Sequence, residues 1–159
     1  PHHTEFILEV LDDPTYRPIE GLKITLHMKR LGKVSQGSPI YYRGIQVGQI
    51  EATRLSDTAQ RAELDAVIFK KYASLVRQGS QFWNVSGIET SLSLLGGLRL
   101  NTTSFKSVLE GALAFATPEQ SSPRANHGSL FNVAEKPEKR WLQWEPNIDF
   151  DSSGAKSLQ

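Results

Sequence analysis

From Gly21 onward the chain alternates. Leu22, Ile24, Leu26 and Met28 fall on one phase, and Lys23, Thr25, His27 and Lys29 on the other. That is the two-residue period of a strand with one buried face. Ala62, Leu64, Ala66 and Ile68 repeat the pattern against Arg61, Glu63 and Asp65. Between these runs, Ile40–Leu55 is rich in β-branched and aromatic residues but interrupted by Gly44 and Gly48. Ile45 and Val47 hold one phase there, Ile50 and Ala52 the other. A phase slip beside a glycine predicts a bulge or sharp bend. Ser56-Asp57-Thr58-Ala59 predicts the turn of an antiparallel pair with the strand that follows. Gln81–Val85 and Ala112–Ala116 read as further strands, the second stopped by Pro118, and Glu5–Val10 as another before the turn-like Asp12–Thr15. Helical signals are few. Lys71–Arg77 sets Tyr72, Leu75 and Val76 on one side with Gly79 as a C-terminal cap, and Phe105–Leu109 has Ser104 as N-cap and Gly111 after it. Many short strands, glycine-rich turns and two helical turns predict an all-β barrel with extended terminal segments.

The pattern divides the chain into an N-terminal linker and strand (1–20), a barrel (21–118) and a back segment (119–159). Residues 117–129 are polar and read as a linker. Beyond them His127–Val133, running on to Pro137, echoes His3–Leu8, running on to Pro14. Read as a repeat, the echo makes the back segment a tail or the start of a following unit in a tandem array.

One stretch does not suit an ordinary barrel. Ser86–Thr103 carries Ile88, Leu92, Leu94, Leu95, Leu98 and Leu100 among serines, threonines and glycines. Exposed leucines cost solubility unless something covers them. Two readings stand: a core hairpin turning at Gly96-Gly97, or an exposed apolar loop serving a greasy ligand or a protein partner.

Charge and motifs narrow the function by what they lack. A formal net charge of +1 offers no electrostatic footprint for nucleic acid. The absence of cysteine excludes disulfides and thiolate metal sites. No apolar run reaches the roughly 18 residues of a membrane span, and no signal peptide precedes the first strand, so the chain reads as a soluble piece of a longer protein. His2, His3, His27 and His127 have no metal-ligand spacing. No nucleophile elbow, phosphate loop or dinucleotide fingerprint occurs. Asp12-Asp13, Asp149 and Asp151 read as turn and tail acids rather than a paired-carboxylate site. No catalytic residue, cofactor or metal is expected.

Three stretches, in order, resemble the MCE (mammalian cell entry) family. They are Gln36–Ile50, with its Gly-Ser-Pro, Arg-Gly and Val-Gly; Leu75–Trp83; and Leu109–Pro118. The likeness covers about residues 21–118 and is nearest to the multi-domain bacterial branch, of the paraquat-inducible and envelope-spanning tunnel type. The resemblance implies a small seven-stranded MCE-type barrel, in a periplasmic protein held by an inner-membrane anchor outside these residues. It implies homo-oligomeric (hexameric) rings stacked into a conduit for phospholipid or another lipid between the inner and outer membranes, without nucleic acid as a partner. It assigns the pore lining to Leu92, Leu94, Leu95 and Leu98, with Ile88 and Leu100. The leucine loop is longer and richer in Ser and Thr than the double-leucine tip associated with single-domain members. The motif residues Gly37, Pro39, Arg43, Gly44 and Gly48 are expected to be structural: glycines where the chain bends, Pro39 at an edge or bulge, Arg43 as a rim charge rather than a headgroup binder. Phe82 and Trp83 are expected in the core or at a ring interface. The competing function is an interaction module that docks a protein through the leucine hairpin.

Overall fold

Strand β1 (Gly21–Met28) buries Leu22, Ile24, Leu26 and Met28 and turns Lys23 outward, as its alternation requires. The computed structural model describes residues 18–85, 111–120 and 122–149. The expected strand Glu5–Val10 and helix Phe105–Leu109 lie outside them. β1 pairs antiparallel with β4 (Ala62–Phe69) along its whole length, from Gly21 opposite Phe69 to Met28 opposite Ala62. β3 (Ile45–Leu55) joins the other side of β4 across the predicted turn, which Ser56 closes by donating its amide to the Arg61 carbonyl.

The phase slip resolves into two bulges. Ile40 faces Gly48 but Tyr41 faces Gln46, so β2 (Pro39–Tyr42) passes one extra residue, Val47, in β3. Against β4 the register slips again between Ile50 and Ala52. Two bulges in one strand place Val47, Gly48 and Ile50 inside while Ile45, 58% exposed, and Ala52 face outward. A bulged, strongly twisted strand is how a small sheet curls enough to close.

Lys71–Arg77 is not an α-helix. Lys70–Leu75 makes a 3₁₀ turn that ends as Val76 becomes extended. The chain then leaves to pair elsewhere: Arg77 bridges to Arg124, and Gln78 donates its amide to the Pro123 carbonyl. Strands β5 (Gln81–Asn84) and β6 (Leu113–Ala116) form an antiparallel pair, and β6 runs parallel to β2.

The back segment holds the largest difference from the sequence reading. Leu130–Ala134, expected outside the barrel, is strand β7, lying parallel between β1 and β5. Among the described residues seven strands close in the order β1-β4-β3-β2-β6-β5-β7. The polar stretch before β7 is pinned rather than loose: Ala125 and Gly128 donate their amides to the carbonyls of Val76 and Lys23. Side-chain polarity does not reveal where backbone groups find partners.

The interior is filled. Leu26, Ile40, Ile50, Leu64, Ile68 and Leu113 are fully buried, and Phe82 contacts Phe115 and Phe131 at ring-centroid distances of 4.9 Å each. A small barrel packed with side chains is a core and not a pore. A separate apolar cluster lies beyond this core, where the one-turn helix α1 (Lys139–Leu142) brings Trp141 onto Trp83, with centroids 6.1 Å apart, and Trp144 beside it.

Candidate functional site

Strand directions sort the barrel into two ends. β1, β3, β5 and β7 run one way and β2, β4 and β6 the other. One end therefore collects the exits of β1 and β3, the β3–β4 turn, the exit of β5 and the entry of β6. The leucine-rich stretch joins β5 to β6, so it leaves and returns at that end. Its base is described: Asn84 faces Leu113, and the Val85 amide donates to the Ala112 carbonyl at 2.9 Å. Gly111, where the chain returns, adopts φ +93 and packs so tightly that a Cβ would lie 2.4 Å from the Lys33 carbonyl oxygen. The predicted lining residues Leu92, Leu94, Leu95, Leu98, Ile88 and Leu100 lie outside the described residues.

The motif residues divide between the two ends. Gly37 and Pro39 stand at the entry to β2, on the leucine side, where Gly37 donates its amide to the Ile50 carbonyl. Pro39 is the first residue of its strand, where a missing N–H costs least. Arg43 and Gly44 form the two-residue β2–β3 hairpin at the opposite end, with φ of 52 and 83. Positive φ at both positions is the signature of a type I′ turn. Arg43 is exposed, and its Nη1 lies 3.5 Å from the Trp144 carbonyl oxygen. It stands on the rim away from the leucine stretch. Gly48 stands beside the β2–β3 bulge and carries a second constraint. A Cβ there would lie 2.3 Å from the Val67 carbonyl oxygen, so the residue is small because a neighbouring strand passes close.

Phe82 points into the core. Trp83, on the other face of β5, is buried under Trp141. These two tryptophans lie far apart in sequence, so no local pattern joins them. The Trp144 carbonyl and the Pro146–Ile148 segment reach the far rim, where Ile148 packs against the core alongside Tyr42. Burial there pushes the Tyr42 phenol above its ordinary pKa, a rise that the neighbouring Arg43 charge opposes. Burial lowers the Arg77 guanidinium, and the like charge of Arg124 adds to the effect.

Among the described residues no cluster of His, Asp or Glu could hold a metal. No described helix is long and apolar enough to cross a membrane. Buried polar side chains serve structure: Thr117 donates its hydroxyl to the Leu75 carbonyl at 2.6 Å and meets the Ser80 hydroxyl at 2.7 Å.

The family model described as MlaD protein matches residues 20–104. The match runs from the start of β1 through the bulged motif into the leucine stretch. This chain belongs to the MlaD family of MCE-type domains. It is 33% identical over 130 residues to the lipophilic envelope-spanning tunnel protein B of Escherichia coli, which covers 80% of this chain and 15% of that protein. It is 34% identical over 151 residues to a probable intermembrane transport protein of Haemophilus influenzae, covering 94% of this chain and 17% of that one. The chain thus spans under a fifth of the length of either relative. A chain of the Acinetobacter MlaFEDB complex in its ATP-bound Vtrans1 conformation superposes with a TM-score of 0.46 at 9% identity, over 89% of this chain and 91% of that one. A likeness at that level adds nothing to the assignment. The closed seven-stranded barrel is the MCE-type fold that the motifs of this MlaD-family chain imply.

Proposed function

We propose that this MCE-type domain is a non-enzymatic lipid-transport module of a bacterial periplasmic protein anchored in the inner membrane. In this reading it is one unit of a tandem array. Copies form hexameric rings whose leucine loops line a hydrophobic path for phospholipid between the inner and outer membranes. Leu92, Leu94, Leu95 and Leu98 face that path, with Ile88 and Leu100 beside them. The observation that carries the reading is the filled barrel combined with its apolar insertion. With its interior occupied by Leu26, Ile40, Ile50, Leu64 and Phe82, the barrel has no room for an acyl chain. The leucine-rich stretch, leaving one end of it, is the apolar surface available for that task. Membership of the MlaD family and relatives described as an envelope-spanning tunnel and an intermembrane transporter support the same reading. An acyl chain entering such a lining regains roughly 0.8 kcal/mol for each CH₂ removed from water.

Photocrosslinking amino acids at Leu94 and Leu95, in the full-length protein in cells, test the reading. Phospholipid adducts are expected at both. Capture of a single protein with no lipid would replace the conduit with a docking module acting through the same loop.

A further inference from the structure

The rim that carries the base of the leucine stretch also carries a cleft of about 460 Å³. Its walls come from three places that the register brings together. Lys29, Arg30 and Leu31 follow β1, Thr53, Arg54 and Leu55 end β3, and Ala59, Gln60, Arg61 and Ala62 open β4. The pairing of Ala62 with both Met28 and Leu55 fixes this meeting. Four cationic side chains line the cleft and no carboxylate does. Arg54 is already committed, at 3.1 Å to Glu63 and 2.6 Å to Asp65. Lys29, Arg30 and Arg61 have no carboxylate partner among the described residues. The Arg61 Nη1 lies 3.4 Å from His27 Nδ1, while His27 Nε2 stands 3.5 Å from Glu63. Asp57 sits on the same β3–β4 turn but outside the lining.

Like charges gathered on one rim repel each other, and an anion placed among them relieves that repulsion while gaining charge-assisted hydrogen bonds. The apolar part of the lining narrows the anion further. Leu55 is 66% exposed and Leu31 is half-buried, both beside the cations. An inorganic anion gains nothing from those leucines, whereas an ester gains by laying its carbon stem on them. We propose that this cleft binds the phosphate of a phosphate ester, with Lys29, Arg30 and Arg61 as its ligands and Leu31 and Leu55 against its stem. The source that fits both halves of the lining is a phospholipid headgroup, held at the end of the barrel from which the leucine stretch leaves and across the rim from its base. That choice of source rests on the proposed function. The phosphate chemistry rests on the cleft alone.

Amide NMR spectra of the 159-residue chain test this, titrated with dihexanoylphosphatidylglycerol below its micelle concentration, with inorganic phosphate and with a short-chain maltoside. Saturable shifts are expected at Lys29–Leu31, Leu55 and Arg61, with the phospholipid bound roughly tenfold tighter than inorganic phosphate. Equal affinity for the two would keep the phosphate site and make free phosphate its source. Lys29→Gln with Arg30→Gln, and separately Arg61→Gln, are expected to weaken binding roughly tenfold. Lys71→Gln, at the other end of the barrel, is expected to leave it unchanged. Silent cleft amides, an equal response to the maltoside, or an equal loss in Lys71→Gln would each overturn the proposal. A silent cleft together with lipid capture at Leu94 and Leu95 would remove the headgroup site and leave the conduit standing.

Discussion

Two glycines four residues apart in the same motif are required for different reasons, and substitution separates them. Gly44 follows Arg43 in a turn where both have positive φ, with open space around its missing side chain. Alanine there meets only backbone strain, of order 1 kcal/mol. Gly48 has no unusual φ, but a Cβ would lie 2.3 Å from the Val67 carbonyl and 3.0 Å from the Ile68 Cδ1. The carbonyl belongs to the backbone of β4, so nothing cheap can give way. Gly48→Ala is therefore expected to cost about 2–4 kcal/mol and Gly44→Ala about 1 kcal/mol, read as midpoint shifts in urea unfolding. Equal losses would mean that the close approach of β4 does not limit the side chain at position 48.

At the scale of elements, helix α1 is held by one side chain. Its single turn is far too short to be stable alone, and its buried residue is Trp141, packed on Trp83 and Trp144. Among the described residues the buried Trp141 indole Nε1 has no acceptor, so the ring contributes area and loses something on its polar atom. Trp141→Ala is expected to cost about 3–5 kcal/mol and to release the segment after β7 to trypsin at Lys139 and Arg140. Trp141→Phe, which keeps most of the area and removes the orphan donor, is expected to stay within about 1 kcal/mol of the native chain. Limited proteolysis and thermal unfolding read both variants. Elements of this kind were hard to see in the sequence because their signal is not local. β1 could be read from the chain because it buries one face and alternates with strict period two, and β4 because it alternates the same way from Ala62 to Ala66 before Val67 is buried as well. β7 contributes only Leu130–Ala134, follows a polar stretch, and finds its partners in β1 and β5, both distant in sequence. The candidate site splits the same way. The leucine stretch stood out because so many leucines have no business between two glycine-rich turns. The cationic cleft did not, because Lys29 and Arg30 meet Arg61 only through the Met28–Ala62 register.

For the whole molecule, closure decides whether there is a fold at all. An open sheet of six strands would leave β1 and β5 with free edges and would uncover Phe82, which rests on Phe131 at 4.9 Å. Phe131 is itself 7% exposed, and its loss from an aromatic contact in the core costs about 3–5 kcal/mol. Beyond that side chain, removing β7 takes away the backbone pairs of Thr25, Leu26 and His27 with Leu130, Phe131 and Asn132, and those of Phe82 and Trp83 with Val133 and Ala134. Small domains hold only about 5–15 kcal/mol in total, so these losses together match the stability of the fold. A chain ending at Pro118, the boundary drawn from the sequence alone, is therefore expected to lose cooperative thermal unfolding and near-UV circular dichroism. A chain ending at Asp149 is expected to keep both. The prediction has a sharper form, because the closing strand is short and pairs in parallel on both sides. Adding the 119–149 segment in trans to the truncated barrel should restore the near-UV signal, saturably and with one-to-one stoichiometry. Cooperative unfolding by the 118-residue chain alone would show that six strands suffice, and β7 would then be an addition to the core and not its closure.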